Sequence, residues 1–253
     1  MLRYAALNRE LCSVIARCRD AGERVIVDYA REDVTLWDVS KVRRVTEIMV
    51  DALPPEYMCA LKMTSFGSRQ SEDIAEKHVD GIITQAKARG VRVCIDAEDV
   101  LYRNVCYDLM RRHNTRENVV VYATYQMYRR DAFNELLSDM ESSQQHGFKL
   151  GAKLVRGAYL RRQSGVFDVK ADTDHSYNKG LTYALSAPHV HTILATHNKP
   201  SLRIARKFPK ERYTTAHLMG FGGNPTYRYV PFGNIVELTP YLWRRFKERL
   251  SWG

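Results

Sequence analysis

The sequence predicts an α/β protein built as a (β/α)₈ TIM-like barrel. Three observations predict it. The chain has 253 residues, the usual size of one such barrel. Short β-branched runs recur along it, most of them separated by helical patterns, which argues for parallel strands joined by crossover helices. The apolar runs end repeatedly in polar side chains, as they do where a barrel gathers a site at the carboxyl ends of its strands.

Eight runs read as strands: Arg24–Tyr29, Met58–Met63, Val91–Ala97, Asn118–Tyr122, Ala152–Val155, Val190–Ala195, Tyr213–Leu218 and Tyr227–Pro231. The helical patterns between and after them cover Thr35–Asp51, Ser71–Ala88, Val100–His113, Arg129–Gln145, Asp172–Ser186, Pro200–Lys207 and Pro240–Leu250. Between the seventh and eighth strands only Gly220–Thr226 intervenes. A parallel crossover needs about a dozen residues, so either the seventh helix is missing or one strand is misassigned. Ahead of the first strand, Met1–Arg19 reads as a helix with Leu7, Leu11, Val14, Ile15 and Cys18 inward, although its basic, acid-poor character also resembles a mitochondrial presequence. Nothing splits the chain, so 1–253 is expected to be one domain with a leading helix over 1–20.

The formal charge of +10 raises nucleic acid or an acidic membrane surface as partners. Lys and Arg are nevertheless scattered, with local density only at Arg203–Arg212 and Arg244–Arg249, which favours a solvated basic surface over a nucleic-acid face. No apolar run reaches the roughly 20 residues of a membrane-spanning helix, while peripheral membrane contact stays open. The five cysteines lack C-x-x-C spacing, and Cys59 and Cys94 fall inside strand-like runs, as reduced core residues do. His189 and His191 share a strand face without an obvious third ligand, so no metal site is expected. Tyr122, Tyr125 and Tyr128 stand beside Arg129 and Arg130, a pattern that suits single-stranded nucleic acid less well than a strand end and the helix that follows. The Gly220–Gly223 cluster lacks dinucleotide-loop spacing and reads as a turn.

The polar strand ends are Asp28, Lys62, Asp96, Glu98, Gln126, Arg156, Tyr159, Thr196, His197 and Asn198. In the last helix, Thr239 suits an N-cap and Pro240 a first helical position. Tyr241 then precedes Arg244 and Arg245 by three and four residues, on one helix face. An aromatic ring beside two guanidinium groups suits a carboxylate clamp; a basic helix end explains the same residues without a ligand.

Several motifs resemble those of the proline dehydrogenase family, in that family's order and in the style of its eukaryotic branch. They are Ile95-Asp-Ala-Glu98, Lys153-Leu-Val-Arg-Gly-Ala-Tyr159, Ala195-Thr-His-Asn198, and Tyr229-Val-Pro-Phe-Gly233 followed by Tyr241-Leu-Trp-Arg-Arg245. Weaker echoes are Asp28-Tyr-Ala-Arg-Glu-Asp33, Leu61-Lys-Met-Thr64, Thr124-Tyr-Gln126 and 167–174. The resemblance implies a barrel carrying FAD, with oxidation of L-proline to Δ1-pyrroline-5-carboxylate by hydride transfer and electrons passed to a quinone. It implies a mitochondrial location in a eukaryote. By the same resemblance, Arg244 and Arg245 would pair with the substrate carboxylate, helped by Lys62. Tyr229 and Tyr241 would wall the ring, Leu154 and Tyr159 would complete the pocket, and Asp96 would orient Lys62 or Tyr229. Gln126, Lys153, Arg156, Thr196, His197 and Glu248 would lie along the flavin. The sequence departs from the family at the seventh helix, at Gly220-Phe-Gly-Gly-Asn224 where an acid is usual, at Ala123 and at Gln163. The alternatives are hydroxyproline as substrate, a relative that keeps the fold as a binding module without catalysis, and a basic nucleic-acid or membrane binder.

Overall fold

The computed structural model describes residues 4–98, 100–157 and 165–251, with backbone alone for 100 and 244–251. The chain divides into two compact units, 1–91 with 217–253, and 92–216.

In the first unit, β1 (Ala6–Leu7) and a 3-10 turn lead into α1 (Leu11–Asp20), β2 (Arg24–Tyr29), α2 (Leu36–Ala52), β3 (Met58–Leu61), a second 3-10 turn (Met63–Phe66) and α3 (Glu72–Ala88). The second unit carries β4 (Arg92–Ile95), a 3-10 turn (Val100–Tyr102), α4 (Arg103–His113), β5 (Val121–Gln126), α5 (Ala132–His146), β6 (Leu150–Val155), α6 (Lys170–Ser186), β7 (Val190–Ala195), α7 (Lys199–Ala205) and, after a 3-10 turn, the start of β8 (Tyr213–Leu218). The first unit resumes near the end of β8 and adds β9 (Tyr227–Gly233) and α8 (Ile235–Ser251). Within the first unit β1 pairs with β9, β9 with β2 and β2 with β3; within the second, β4 to β8 pair in order. All these pairings are parallel. From β2 to β9, eight strands alternate with helices, the (β/α)₈ pattern with one helix lacking. Buried on both faces, the strands need unbroken apolar runs, and Val25, Ile26 and Val27 are accordingly inaccessible.

The missing helix is the seventh. Residues 219–226 contain no helix, and both flanking strands are present. The connection turns on Gly220 and Gly223, at φ of 89° and 91°, a left-handed region that glycine enters without steric cost. Met219 N–H then donates to the Tyr229 carbonyl at 2.8 Å. Arg228 holds the loop by donating to the carbonyls of Phe221 (2.7 Å) and Gly223 (2.8 Å) while pairing with the buried Glu23. One guanidinium fork thus satisfies loop carbonyls that a helix would have satisfied internally.

Three expectations are corrected. The amino-terminal segment is not helical throughout: Ala6–Leu7 pairs with Phe232–Gly233, and of the five residues expected inward only Val14 is fully buried. Inaccessible Ala5 and Ala6, with no bulk beyond Cβ, allow that close backbone approach. β5 lies three residues later than expected, because the Asn114 amide oxygen accepts from Val120 and Val121 N–H (2.9 and 2.8 Å) and fixes the preceding residues as a turn. α8 begins at Ile235, not at Pro240. Asn234 and Glu237 form a reciprocal capping box, the Asn234 side chain accepting from Glu237 N–H (3.0 Å) and Glu237 from Asn234 N–H (2.8 Å). Pro240 therefore lies inside the helix, on its solvent-facing side, where Val236 is 81% exposed. The carbonyl that Pro240 leaves without an amide partner is that of Val236, four residues earlier.

Replacing Arg228 with Ala should destabilise the protein by about 3 kcal/mol, because it leaves the Glu23 carboxylate buried without its partner. Urea denaturation monitored by circular dichroism measures this; a loss below about 1 kcal/mol would show that the loop does not depend on Arg228.

Candidate active site

The first unit places a buried ion pair where two strands end. Ile26 faces both Met58 and Tyr229 across the ladder, and Asp28 faces Ala60 and Pro231. Since side chains alternate along a strand, Asp28, Tyr229 and, two residues past Ala60, Lys62 share one face. Lys62 pairs with Asp28, and both are buried, at 5% and 1% exposure. On the opposite face Tyr29 stacks on Phe232 and donates its hydroxyl to Glu237 at 2.6 Å. Burial, then that hydrogen bond, push the phenol up to about 12. Arg31 links Asp38 of α2 (2.6 Å) and Glu237 of α8 (3.9 Å). The first turns of α8 are thereby tied to the end of β2, and Tyr241 is buried with Leu238 against Ala5 and Ala30. α8 runs on through 244, 245 and 248, so Tyr241 keeps its three- and four-residue spacing to Arg244 and Arg245. The side chains of Arg244, Arg245 and Glu248, and the whole of Tyr159, lie outside the described residues.

The second unit carries a second pair. Thr124, Lys153, Ile193 and Thr214 stand in register across β5 to β8, on one face. Lys153, 4% exposed, pairs with Asp96 just past β4, and the Thr124 hydroxyl donates to the same carboxylate at 3.4 Å. Within the second unit Asp96 is thus tied to both Lys153 and Thr124. Gln126, also buried, donates to the Ala97 carbonyl at 2.9 Å. The Thr214 hydroxyl oxygen is buried with no hydrogen-bond partner. Beneath Asp96, burial pushes the Cys94 thiol up to about 12, so it stays protonated as a core residue.

Arg156 follows β6 and is committed to the helices. It donates to Asp174 (2.6 Å), Thr196 (2.6 Å) and Ser201 (3.0 Å) and lies over the Tyr177 ring at 4.4 Å. Burial works against ionisation of Asp174, yet hydrogen bonds from Lys170 and Arg156 hold its carboxyl below the usual range. Arg156 and Thr196 thus meet directly, and His197 is exposed one residue beyond. Leu154, fully buried, lies on the opposite face of β6 from Lys153, with its carbonyl accepting from the Tyr177 hydroxyl at 3.4 Å.

Sequence reasoning missed the role of Asp28 as partner to Lys62, and a triad around the buried Asp139 in the second unit. There Asp139 accepts from Tyr125 (2.8 Å) and Arg103 (2.6 Å), beside a cleft that Asp96, Glu98 and Gln126 also line. Burial raises the Asp139 carboxyl above its ordinary value. The signal was available: Asp139 falls at an inward position of α5, in step with Ala132, Leu136 and Ser143. The two histidines have other partners. His191 meets the Tyr122 hydroxyl (3.0 Å) and His189 the Met140 carbonyl (3.1 Å), and the described residues contain no cluster of three metal-ligating side chains. Tyr122, Tyr125 and Tyr128 are all buried, which removes them as a stacking surface for nucleic acid.

The family model for proline dehydrogenase matches residues 11–251. The chain belongs to the proline dehydrogenase family. It is 30% identical to the carbapenem antibiotics biosynthesis protein CarD of Pectobacterium carotovorum, over 90% of this chain and 72% of that protein. It is 31% identical to the mitochondrial proline dehydrogenase 1 of Dictyostelium discoideum and 28% to the human one. Those alignments cover 70% and 69% of this chain but 39% and 35% of the relatives, so the chain spans little more than a third of their length. Among solved structures, proline utilization A of Bdellovibrio bacteriovorus, inactivated by N-propargylglycine, superposes with a TM-score of 0.85 at 19% identity. That match covers 96% of this chain and 32% of the other, and shows the fold to be the (β/α)₈ barrel class.

His191 tests the electrostatics of the second unit. Burial, with Arg92 and Lys149 nearby, lowers its imidazole to about 4. The folded protein therefore binds fewer protons here than the unfolded chain, and this contribution to stability is present above pH ~6.5 and lost as pH falls through about 4. His191→Gln should flatten the fall of stability across that window, read by urea denaturation at a series of pH values; an unchanged slope would contradict the assignment.

Proposed function

We propose that the protein oxidises L-proline to Δ1-pyrroline-5-carboxylate, with FAD as hydride acceptor and a quinone as onward electron acceptor. The observation that carries this reading is Lys62, a buried cation sharing a strand face with Tyr229, in a chain that the family model matches from 11 to 251.

The residues of the second unit fit a flavin. Gln126, Lys153, Thr196 and Arg156 are donors or cations gathered where β5, β6 and β7 end, and the Thr214 hydroxyl is buried without a partner on the Lys153 face. Such a set suits the acceptor-rich edge of a flavin and its pyrophosphate. With Glu248 and the exposed His197, these residues would hold the cofactor, which when bound supplies the two-electron acceptor that amino-acid side chains lack. The chain itself binds and orients. Arg244 and Arg245 clamp the proline carboxylate, and Lys62 adds a third cation. Tyr229 and Tyr241 wall the ring and exclude water; a hydroxyl on the ring would crowd Tyr229, which favours proline over hydroxyproline. By the family resemblance Leu154 and Tyr159 would complete the pocket. Asp96 keeps Lys153 charged and fixed. Fixed cations pointing where negative charge develops need no reorganisation during reaction.

The quinone partner implies contact with a membrane surface. No helix of the described residues is long and apolar enough to cross a membrane, so that contact would be peripheral. In a eukaryotic source the location would be mitochondrial, as the names of the Dictyostelium and human relatives state for those proteins.

The purified protein, reconstituted with FAD if necessary, should be yellow and should bleach when L-proline is added without oxygen. A protein that stays colourless after incubation with FAD would contradict the proposal and favour a binding module without catalysis. Arg244→Ala combined with Arg245→Ala should raise the proline KM at least tenfold, since hydrogen bonds to charged groups contribute about 1.5–3 kcal/mol each.

A further inference from the structure

We infer that Asp28 is the positioning residue for Lys62, holding its ammonium charged and aimed for a substrate carboxylate. This rests on the proline reading and adds to it a residue for which the family resemblance implied no role.

The geometry singles out Asp28. It lies on β2, flanked in register by Ala60 of β3 and Pro231 of β9, and it faces the same way as Lys62 and Tyr229. It is 1% exposed and pairs with Lys62.

Physical chemistry makes the pairing necessary. Burying an ammonium ion costs several kcal/mol, and a lysine buried without a counterion sheds its proton instead. A neutral Lys62 could not attract a carboxylate. The lysine stem also has many rotamers, which an ion pair at its tip reduces to few. An ammonium group carries three donors, and an ion pair to Asp28 fixes the direction of one of them. Asp28 has acceptors alone and would repel a carboxylate at close range. It therefore acts through Lys62, and its effect belongs in binding rather than in the chemical step.

The test uses the FAD-loaded full chain. Asp28→Asn should raise the proline KM about tenfold with kcat within about twofold of wild type, and Asp28→Glu, which restores the charge, should recover most of the loss. A KM for Asp28→Asn equal to wild type, or a fall in kcat at constant KM, overturns the inference. If Asp28→Asn fails to fold, Lys62→Met is compared with Lys62→Met plus Asp28→Asn, the double variant being the one in which no buried charge is stranded. Equal KM values for these two support positioning through Lys62, and a further rise in the double variant overturns it. Failure of the proline reading is separate: the wild-type protein would then not oxidise proline at all.

Discussion

A lysine inside a protein stays charged only beside a counter-charge, and this requirement organises the molecule. Each unit meets it once, at the ends of parallel strands: Lys62 with Asp28 in the first, Lys153 with Asp96 in the second. Neither pair is explained by stability, since well-packed apolar residues of the same volume would often serve as well or better. The charges are retained where strand ends gather polar groups, among apolar strands such as Val25–Val27 whose burial offsets the cost. On the proposed function the cation that Asp28 keeps charged also receives the substrate carboxylate, which links the fold to the proposed chemistry.

The surrounding structure serves to hold those strand ends still. α8 is drawn back to Ile235 by the Asn234–Glu237 capping box, and Glu237 also receives the Tyr29 hydroxyl. The same carboxylate thus starts the helix and fastens it to β2, one residue beyond Asp28. Arg156 does the equivalent work in the second unit, locking the end of β6 to α6 and α7 through Asp174, Thr196 and Ser201. Loss of the seventh helix is offset within the first unit by Arg228, which binds the replacing loop to Glu23. That loop leads directly into the strand carrying Tyr229.

Much of this was legible in residues alone. The runs Arg24–Tyr29, Val190–Ala195 and Tyr213–Leu218 are strands with the boundaries their β-branched patterns give, and the short Gly220–Thr226 segment left a missing helix or a misassigned strand, of which the first is found. The family was readable from Lys153–Tyr159 and Tyr229–Arg245, because motifs in order carry information that no single motif does. Other features were not legible for specific reasons. Thr239-Pro240 is a good helix start by local preference, but a reciprocal cap five residues earlier outweighs it. β1 is two residues long and owes its existence to a partner over 200 residues away, which no local pattern encodes. The pairing of Lys62 with Asp28 depends on register between β2 and β3, invisible until the strands are paired.

The central claim is that the chain carries out proline oxidation, and product formation tests it most directly. The FAD-loaded protein would be mixed anaerobically with one equivalent of L-proline, and the Δ1-pyrroline-5-carboxylate formed trapped as its adduct with o-aminobenzaldehyde. The account predicts adduct in proportion to the flavin reduced, and little when hydroxyproline replaces proline. Flavin that stays oxidised with no adduct formed would contradict it.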